Sequence, residues 1–448
     1  MNNYRLNYRS KFLLPGILFL TVSLILFAAT RDQLGDVNND GEVNILDIVR
    51  IVNIILDIDP PPTDYELWAS DVNVDDSTDV VDIIIIVQLI IGNDDCPDLY
   101  SPCSDNLTLC CADTTSHLYE YETDVLGISF STINDVAIVD ENNIWAVGEI
   151  HTEETDQFDS TGTWIQPYNA AKWDGEEWVL ERVIQPGGYV QAIRCLDYVS
   201  ENDIWFGKGS LPIHWDGTEY YLFTPAEDDY PGGNIISEIY HNSPDDIFII
   251  GHNGSIIHYD GSSFEQMESG TEVDLIDISG TSDGEHIFAV GLTNSEWWGN
   301  LILEFSEGSW STLYESDHYL PDTGDYGAVL NVSVHADTAY IMTMGGLWKY
   351  NYLDQGSDFV SENNYNEGNY YHNKHITVLG FNDIFTVSSR WNTAHYNGET
   401  WYYDNDVNHN FGNGNVWVKS ADYKSDMFVI VGYINNPQTA LIMRGSRY

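Results

Sequence analysis

Seven returns of one strand-and-turn pattern between residues 117 and 448 predict an all-β, seven-bladed β-propeller. Two copies of an Asp/Asn-rich, twelve-residue loop between residues 36 and 82, each followed by an apolar run, predict a small α-helical domain ahead of it. The boundaries follow from composition: residues 1–29 read as a signal peptide, 30–92 as the helical module, 93–116 as a Cys/Pro-containing linker and 117–448 as the propeller.

Arg5, Arg9 and Lys11 precede a mainly apolar run over 13–29 that ends in small residues, the layout of a secretory signal with cleavage near Ala29 or Thr30. The alternative is an uncleaved membrane anchor. Cleavage leaves a secreted, extracellular protein, cell-surface associated or free, with no further membrane segment. The formal charge of −55 becomes about −58 when those three cations are removed. Nucleic acid is excluded as a partner, because phosphate backbones are bound through clustered Lys and Arg. The acids are spread along the chain, as on a solvated secreted surface.

Asp36, Asn38, Asp40, Glu42, Asn44 and Asp47 stand at positions 1, 3, 5, 7, 9 and 12 of the first loop; Asp71, Asn73, Asp75, Ser77, Asp79 and Asp82 repeat that spacing in the second. Oxygen donors so spaced, with the backbone carbonyl at position 7, surround one hard cation that takes about six to eight oxygens, so two Ca2+ sites are expected. Metal-free turns are the alternative reading. The sharp turn at position 6 is Gly41 in the first loop but Asp76 in the second, so the second loop should bind calcium more weakly. Asp36 follows the signal too closely for an entering helix.

A duplicated loop with only its exiting helix and with Asp at position 12 resembles the dockerin domain of secreted polysaccharide-degrading assemblies. The matching residues are Gly35, Asp36, Val37, Asn38, Asp40, Gly41, Asn44 and Asp47, then Asp71, Val72, Asn73, Asp75, Asp79 and Asp82. The resemblance covers about 58 residues and implies helices over 48–56 and 83–91. It also implies calcium-dependent docking onto a cohesin-like partner. Positions 10 and 11, which face the partner in that family, are Ile45 and Leu46 in one copy and Val80 and Val81 in the other. Apolar pairs suit a buried interface. In an alternative reading calcium folds the module and no partner exists.

Cys96, Cys103, Cys110 and Cys111 crowd the linker among Pro97, Pro102, Ser101 and Ser104. In an exported chain this reads as a disulfide staple with three pairings open, the adjacent pair bonding elsewhere; a tetrathiolate zinc site is the alternative. Cys195 lies in an alternating strand and reads as a free core thiol.

In the propeller, second strands begin at Ile144, Ile204, Ile247, Ile287, Ala339, Ile384 and Met427, at spacings of 60, 43, 40, 52, 45 and 43 residues. Blades of four strands need about 40–50 residues. Asp174-Gly175, Asp216-Gly217 and Asp260-Gly261 mark tight hairpins after third strands. Trp178, Tyr220, Phe264, Trp310, Phe359 and Trp401 on the outer strands read as packing between blades. The seventh unit lacks an outer strand, and residues 117–122 have the sequence to supply it.

Insertions accumulate between second and third strands and between blades, which in a four-stranded meander emerge on one face. That face carries Trp164, Tyr168, Tyr230, Trp297, Trp298, Tyr319, Tyr326, Tyr370, Tyr371 and Trp391 among Asp228, Asp229, His318, Asp325, His372 and His409. Aromatic platforms beside carboxylates and amides suit a polysaccharide, or a cell-surface glycan or protein. The alternative is that these rings pack their own loops. Catalytic residues are unknown: many loop carboxylates are present, but sequence selects no pair. The segment 173–178 resembles a sialidase turn box without its leading Ser, and an arginine cluster is lacking. The expected function is docking of a recognition propeller into an extracellular polysaccharide-degrading or surface assembly. The alternatives are a propeller that is itself a glycoside hydrolase or polysaccharide lyase, or a surface adhesin or structural module.

Overall fold

The computed structural model describes residues 35, 37–38, 43–56, 58, 61–70, 72, 78, 82–83, 86–87, 115–184, 188–293, 299–317, 326–353, 355–362, 374–398, 400–404 and 415–447. The signal peptide and the linker cysteines Cys96, Cys103, Cys110 and Cys111 lie outside the described residues. The chain divides into two compact units, with the boundary between residues 115 and 116.

The larger unit consists of seven four-stranded antiparallel sheets. Its inner strands, Thr132–Asp140, Cys195–Ser200, Ile236–Ser243, Leu275–Gly280, Val329–His335, His375–Gly380 and Val416–Lys424, contact one another in sequence and the last contacts the first, so the ring is closed. Seven apolar clusters fill it, one at each junction of neighbouring blades. A blade therefore buries its faces against both neighbours and cannot be stable alone. Cys195 is buried in the cluster between blades 2 and 3 and is free.

The small residue ending most second strands has a steric cause. A Cβ on Gly148, Gly251 or Gly432 would fall on the carbonyl oxygen of Thr132, Ile235 or Trp417 of the paired inner strand. Next to all three glycines the inner strand carries a register shift, between Ile133 and Asp135, between Ile236 and Glu238 and between Val418 and Ser420. Close backbone approach at the bulge admits only glycine.

Blade 7 draws three strands from the C-terminus and its outer strand, Tyr119–Leu126, from the start of the unit, paired from Tyr119 with Arg447 to Leu126 with Ala440. This closing strand extends four residues beyond the expected 117–122. Arg447 fastens the closure: its guanidinium donates to both carboxylate oxygens of Asp383 in blade 6 at 2.9 Å, to the Tyr119 hydroxyl at 3.1 Å, and to Tyr423.

The Asp-Gly hairpins form with four-residue loops rather than the two-residue loops that dipeptide favours. Asp216 Oδ1 accepts from the backbone N–H of Thr218 and Glu219 at 2.8 Å, and Trp215 pairs with Tyr220 across the turn. The side chain caps the turn, and Gly217 then takes the left-handed backbone at φ 88°. Five of the six outer-strand aromatics join the inter-blade clusters as expected. Phe359 differs: it is 48% exposed and lies edge-on to Trp348.

In the smaller unit, helix α1 spans Ile45–Ile55 and helix α2 Asp64–Ser70. α1 starts three residues before the expected 48, because Asn44 caps it and Asp47 returns a bond to the cap, a full capping box. α2 was not anticipated; it falls between the two loops. Its Glu66 pairs with Arg50 of α1 at 2.5 Å, and Ala69 joins Val37, Ile51, Val72 and Ile86 in one core. Residues 82–83 and 86–87 are helical where the second exiting helix was expected.

Candidate functional site

Of the twelve candidate calcium ligands, Asn38, Asn44, Asp47 and Asp82 are described; Asp36, Asp40, Glu42, Asp71, Asn73, Asp75, Ser77 and Asp79 lie outside the described residues. The two position-12 carboxylates are fully buried. Asp47 accepts from the backbone N–H of Asn38 at 3.0 Å and Asn44 at 2.9 Å, and Asp82 from that of Val72 at 2.7 Å. Each carboxylate thus folds its loop back onto the exiting helix. A buried carboxylate is held by hydrogen bonds or a positive partner, and the backbone N–H groups of the loops supply the former. An all-oxygen donor set closed by a buried carboxylate fits a hard cation such as calcium.

Among the candidate partner residues, Ile45 and Leu46 are 60% and 58% exposed at the start of α1, and Val49 one turn on is 52% exposed. Ile51 on the opposite side is buried in the core. α1 therefore presents a second apolar face to solvent. Val80 and Val81 lie outside the described residues.

The aromatic residues expected on the elaborated face divide sharply. Trp164 is 44% exposed, but Tyr230 and Trp391 are each only 1% exposed. Tyr230 packs edge-on against Phe264 between blades 2 and 3, and Trp391 belongs to the cluster between blades 6 and 7. These two rings are core, not platform. Tyr326 is half-buried between Tyr314 and Trp348, with its hydroxyl on Ser357 Oγ at 2.5 Å. Tyr168 lies under the Arg182 guanidinium at 3.8 Å. Trp297, Trp298, Tyr319, Tyr370 and Tyr371 lie outside the described residues, as do His318, Asp325, His372 and His409.

The three most exposed rings among the described residues escaped the sequence reading. Phe130 is 76%, Phe158 67% and Tyr189 67% exposed. Phe158 pairs with Trp164 across a short hairpin inside the blade 1 insertion, rings 5.2 Å apart and T-shaped. The signal that could have found Phe158 and Tyr189 was loop length, since both lie within the longest spacing, between Ile144 and Ile204.

Four carboxylates of the inner strands, Asp135, Asp197, Asp277 and Asp422, hold neighbouring blades together, whereas Glu238 accepts from the N–H of its neighbour Ile239 and is pushed well above the ordinary carboxylate range by desolvation. The backbone N–H of Ile138 donates to Asp422, Leu196 to Asp135, His241 to Asp197 and Val332 to Asp277, at 2.7–2.8 Å, each from the next blade round the ring. Desolvation in this confined ring pushes Asp135 and Asp277 up to about 7 and Asp422 up to about 6. Among the described residues no three His, Cys, Asp or Glu side chains converge to hold a metal ion. A ring of His–carboxylate pairs, Asp203–His214, Asp246–His258 and Asp383–His395, at 2.6–2.9 Å, ties second to third strands in blades 2, 3 and 6.

Residues 34–91 match the family model of the dockerin type I domain. Such domains generally bind calcium and cohesins, and they occur in extracellular cellulosome components. No curated protein matches the chain in sequence. Among solved structures, it is similar to "YCF48 bound to D1 peptide", at 12% identity and a TM-score of 0.51, covering 74% of this chain and 97% of that one. It is also similar to the WD40 β-propeller domain of Doa1, at 11% identity and a TM-score of 0.50, with 74% and 97% covered. At such identities the likeness concerns the fold alone. The chain thus joins a dockerin type I module to a seven-bladed β-propeller.

Proposed function

We propose that this chain is a secreted, calcium-dependent docking protein that carries a propeller recognition module into an extracellular polysaccharide-degrading assembly. The observation that carries the reading is the dockerin type I match over 34–91, supported by the exposed Ile45, Leu46 and Val49 at the start of α1. Asp36, Asn38, Asp40, Glu42, Asn44 and Asp47 would hold one calcium ion, and Asp71, Asn73, Asp75, Ser77, Asp79 and Asp82 a second. Bound calcium would place positive charge beside the buried carboxylates of Asp47 and Asp82. Around it the chain's own residues position the partner surface: the Asp47–Asn44 box sets where α1 begins, and so which way Ile45 and Leu46 point. Burying those two side chains against a partner removes apolar surface from water, worth about 25 cal/mol per Å2.

The propeller then acts as the recognition end, and the axial carboxylates Asp135, Asp197, Asp277 and Asp422 serve as blade-to-blade acceptors. The test is retention of the full chain on an immobilised cohesin domain in millimolar calcium. Retention that is lost in EDTA, and weakened at least about tenfold in a Leu46→Asp variant, is expected for an interface residue at the centre of a docking face. Calcium-indifferent retention, or no retention on any cohesin type tried, contradicts the reading.

A further inference from the structure

We propose that the loops of blade 1 form the ligand platform of the propeller and that its ligand is an uncharged polysaccharide; the inference deepens the recognition reading above and rests on it. Phe130, Phe158, Trp164 and Tyr189 are 76%, 67%, 44% and 67% exposed, on three separate loops of the elaborated face. Loose hydrophobic loop tips would be unremarkable, but these loops are braced to one another. In the turn that carries Phe130, the Ile128 N–H donates to the His151 carbonyl at 2.8 Å, and the His151 N–H donates to Ser131 Oγ at 2.9 Å. His151 is also the root of the blade 1 insertion, where it meets Asp156 at 2.5 Å.

At the far end of that insertion the Gln166 side chain grips the loop of Tyr189 from both sides, accepting from the Val190 N–H and donating to the Gly188 carbonyl, both at 2.7 Å. One insertion therefore fixes all three ring-bearing loops. Phe130 itself has a left-handed backbone, φ 74°, a region disfavoured for a residue with a Cβ. A strained residue that holds a large apolar ring out in water has no folding advantage, and it points to a binding role.

The chemistry around the rings selects the ligand. Asp159 accepts from the Thr161 N–H, the Thr161 hydroxyl and the Thr163 N–H at 2.7–2.9 Å, and Asp156 takes His151 and Thr155, so both carboxylates are occupied within their own turns. The Arg182 guanidinium lies on Tyr168 and donates to the Gln166 and Pro167 carbonyls. A formal charge of −55 further disfavours an anionic polymer. What is presented is ring surface beside the exposed carboxylates of Glu153 and Glu154, which repel an anionic polymer. A pyranose ring has a C–H face that stacks on an aromatic while its equatorial hydroxyls stay in water or reach neighbouring polar groups. Rings on three loops, rather than in one closed cavity, suit a polymer that meets them in succession.

The experiment is native affinity electrophoresis of the full-length chain in millimolar calcium, through gels containing hydroxyethylcellulose, arabinoxylan, galactomannan or polygalacturonate, with cytochrome c as a basic protein probe. Retardation by at least one of the three uncharged polymers and by neither of the others is expected. Trp164→Ala, Tyr189→Ala and Phe130→Ala should each weaken it about tenfold, whereas Phe359→Ala, an exposed ring on the outer strand of blade 5, should change it less than about twofold. Melting temperatures of the variants check that they fold. Undiminished binding in all three blade 1 variants would overturn the location and leave the recognition reading standing. Binding only to polygalacturonate or to cytochrome c overturns the ligand class. Retardation by nothing overturns the inference and the carbohydrate reading together.

Discussion

A few side chains carry disproportionate weight in this ring. Arg447 and Asp383 are each about one-tenth exposed, 10% and 11%, and join the last strand to blade 6. Arg447→Ala leaves the Asp383 charge buried without its cation, so the propeller should lose about 3–5 kcal/mol, read as a fall in the chemical denaturation midpoint. Gly432→Ala puts a Cβ on the Trp417 carbonyl and should cost about 1–3 kcal/mol for overpacking. The titrating acids pull in two directions. Asp135 and Asp277, raised by burial to about 7, and Asp422, raised to about 6, bind protons more readily when folded than when unfolded. Their contribution is full below the unfolded value of about 4 and is lost as pH rises through those folded values. Burial raises Asp383 too, but hydrogen bonds from His395, Arg447 and Tyr423 outweigh it and leave its pKa lowered, so its contribution is lost as pH falls below the ordinary carboxylate range. Calorimetry at fixed calcium should therefore find the propeller's melting temperature highest in mild acid, near about pH 5. A melting temperature that climbs steadily to pH 8 contradicts these assignments. At this scale the sequence was least legible. Trp164, Tyr230 and Trp391 look alike as loop aromatics, yet one is exposed and two are buried, because exposure depends on which neighbouring blade a loop folds over. Phe130 gave no signal at all: its display depends on a left-handed turn that the residue type does not announce.

The elements were far more readable, because each has a local cause. Second strands ending in glycine recur because the bulged inner strand passes too close for any side chain. The Asp-Gly pairs mark real hairpins, and only the loop length differs, since Asp216 caps its own turn. α1 begins at its capping residue Asn44, a signal present in the sequence as Asn-x-x-Asp. α2 was missed because seven residues show too little periodicity to distinguish a short helix from a linker. The closing strand is where sequence and structure agree most usefully: an incomplete seventh unit and a spare strand at the start of the unit imply each other. Deleting residues 117–126 removes the outer strand of blade 7 and the Tyr119 contact of Arg447. The ring should then melt at least about 10 °C lower, or fail to fold, because the loss exposes the core shared by blades 6 and 7. An unchanged melting temperature would show that closure does not depend on this strand.

For the whole molecule, the arrangement is a dockerin type I module joined to a seven-bladed propeller, and in the proposed function the first docks and the second recognises. The dockerin module was legible because its family repeats fixed residue types at fixed spacing, as in the order of Asp36 to Asp47. The propeller was legible as a fold and not by its ligand, since a propeller supports many ligands and leaves the choice to its loops. The direct measurement is a bridging assay on insoluble cellulose and xylan with a fluorescent cohesin domain and the full-length chain, separated into pellet and supernatant. In millimolar calcium both proteins should sediment with the polysaccharide, and the cohesin should stay in solution when the chain is omitted. EDTA should then release the cohesin while the chain remains in the pellet. Cohesin that never sediments, or a chain released by EDTA along with it, would contradict a division of labour between a calcium-dependent dock and a calcium-independent recognition propeller.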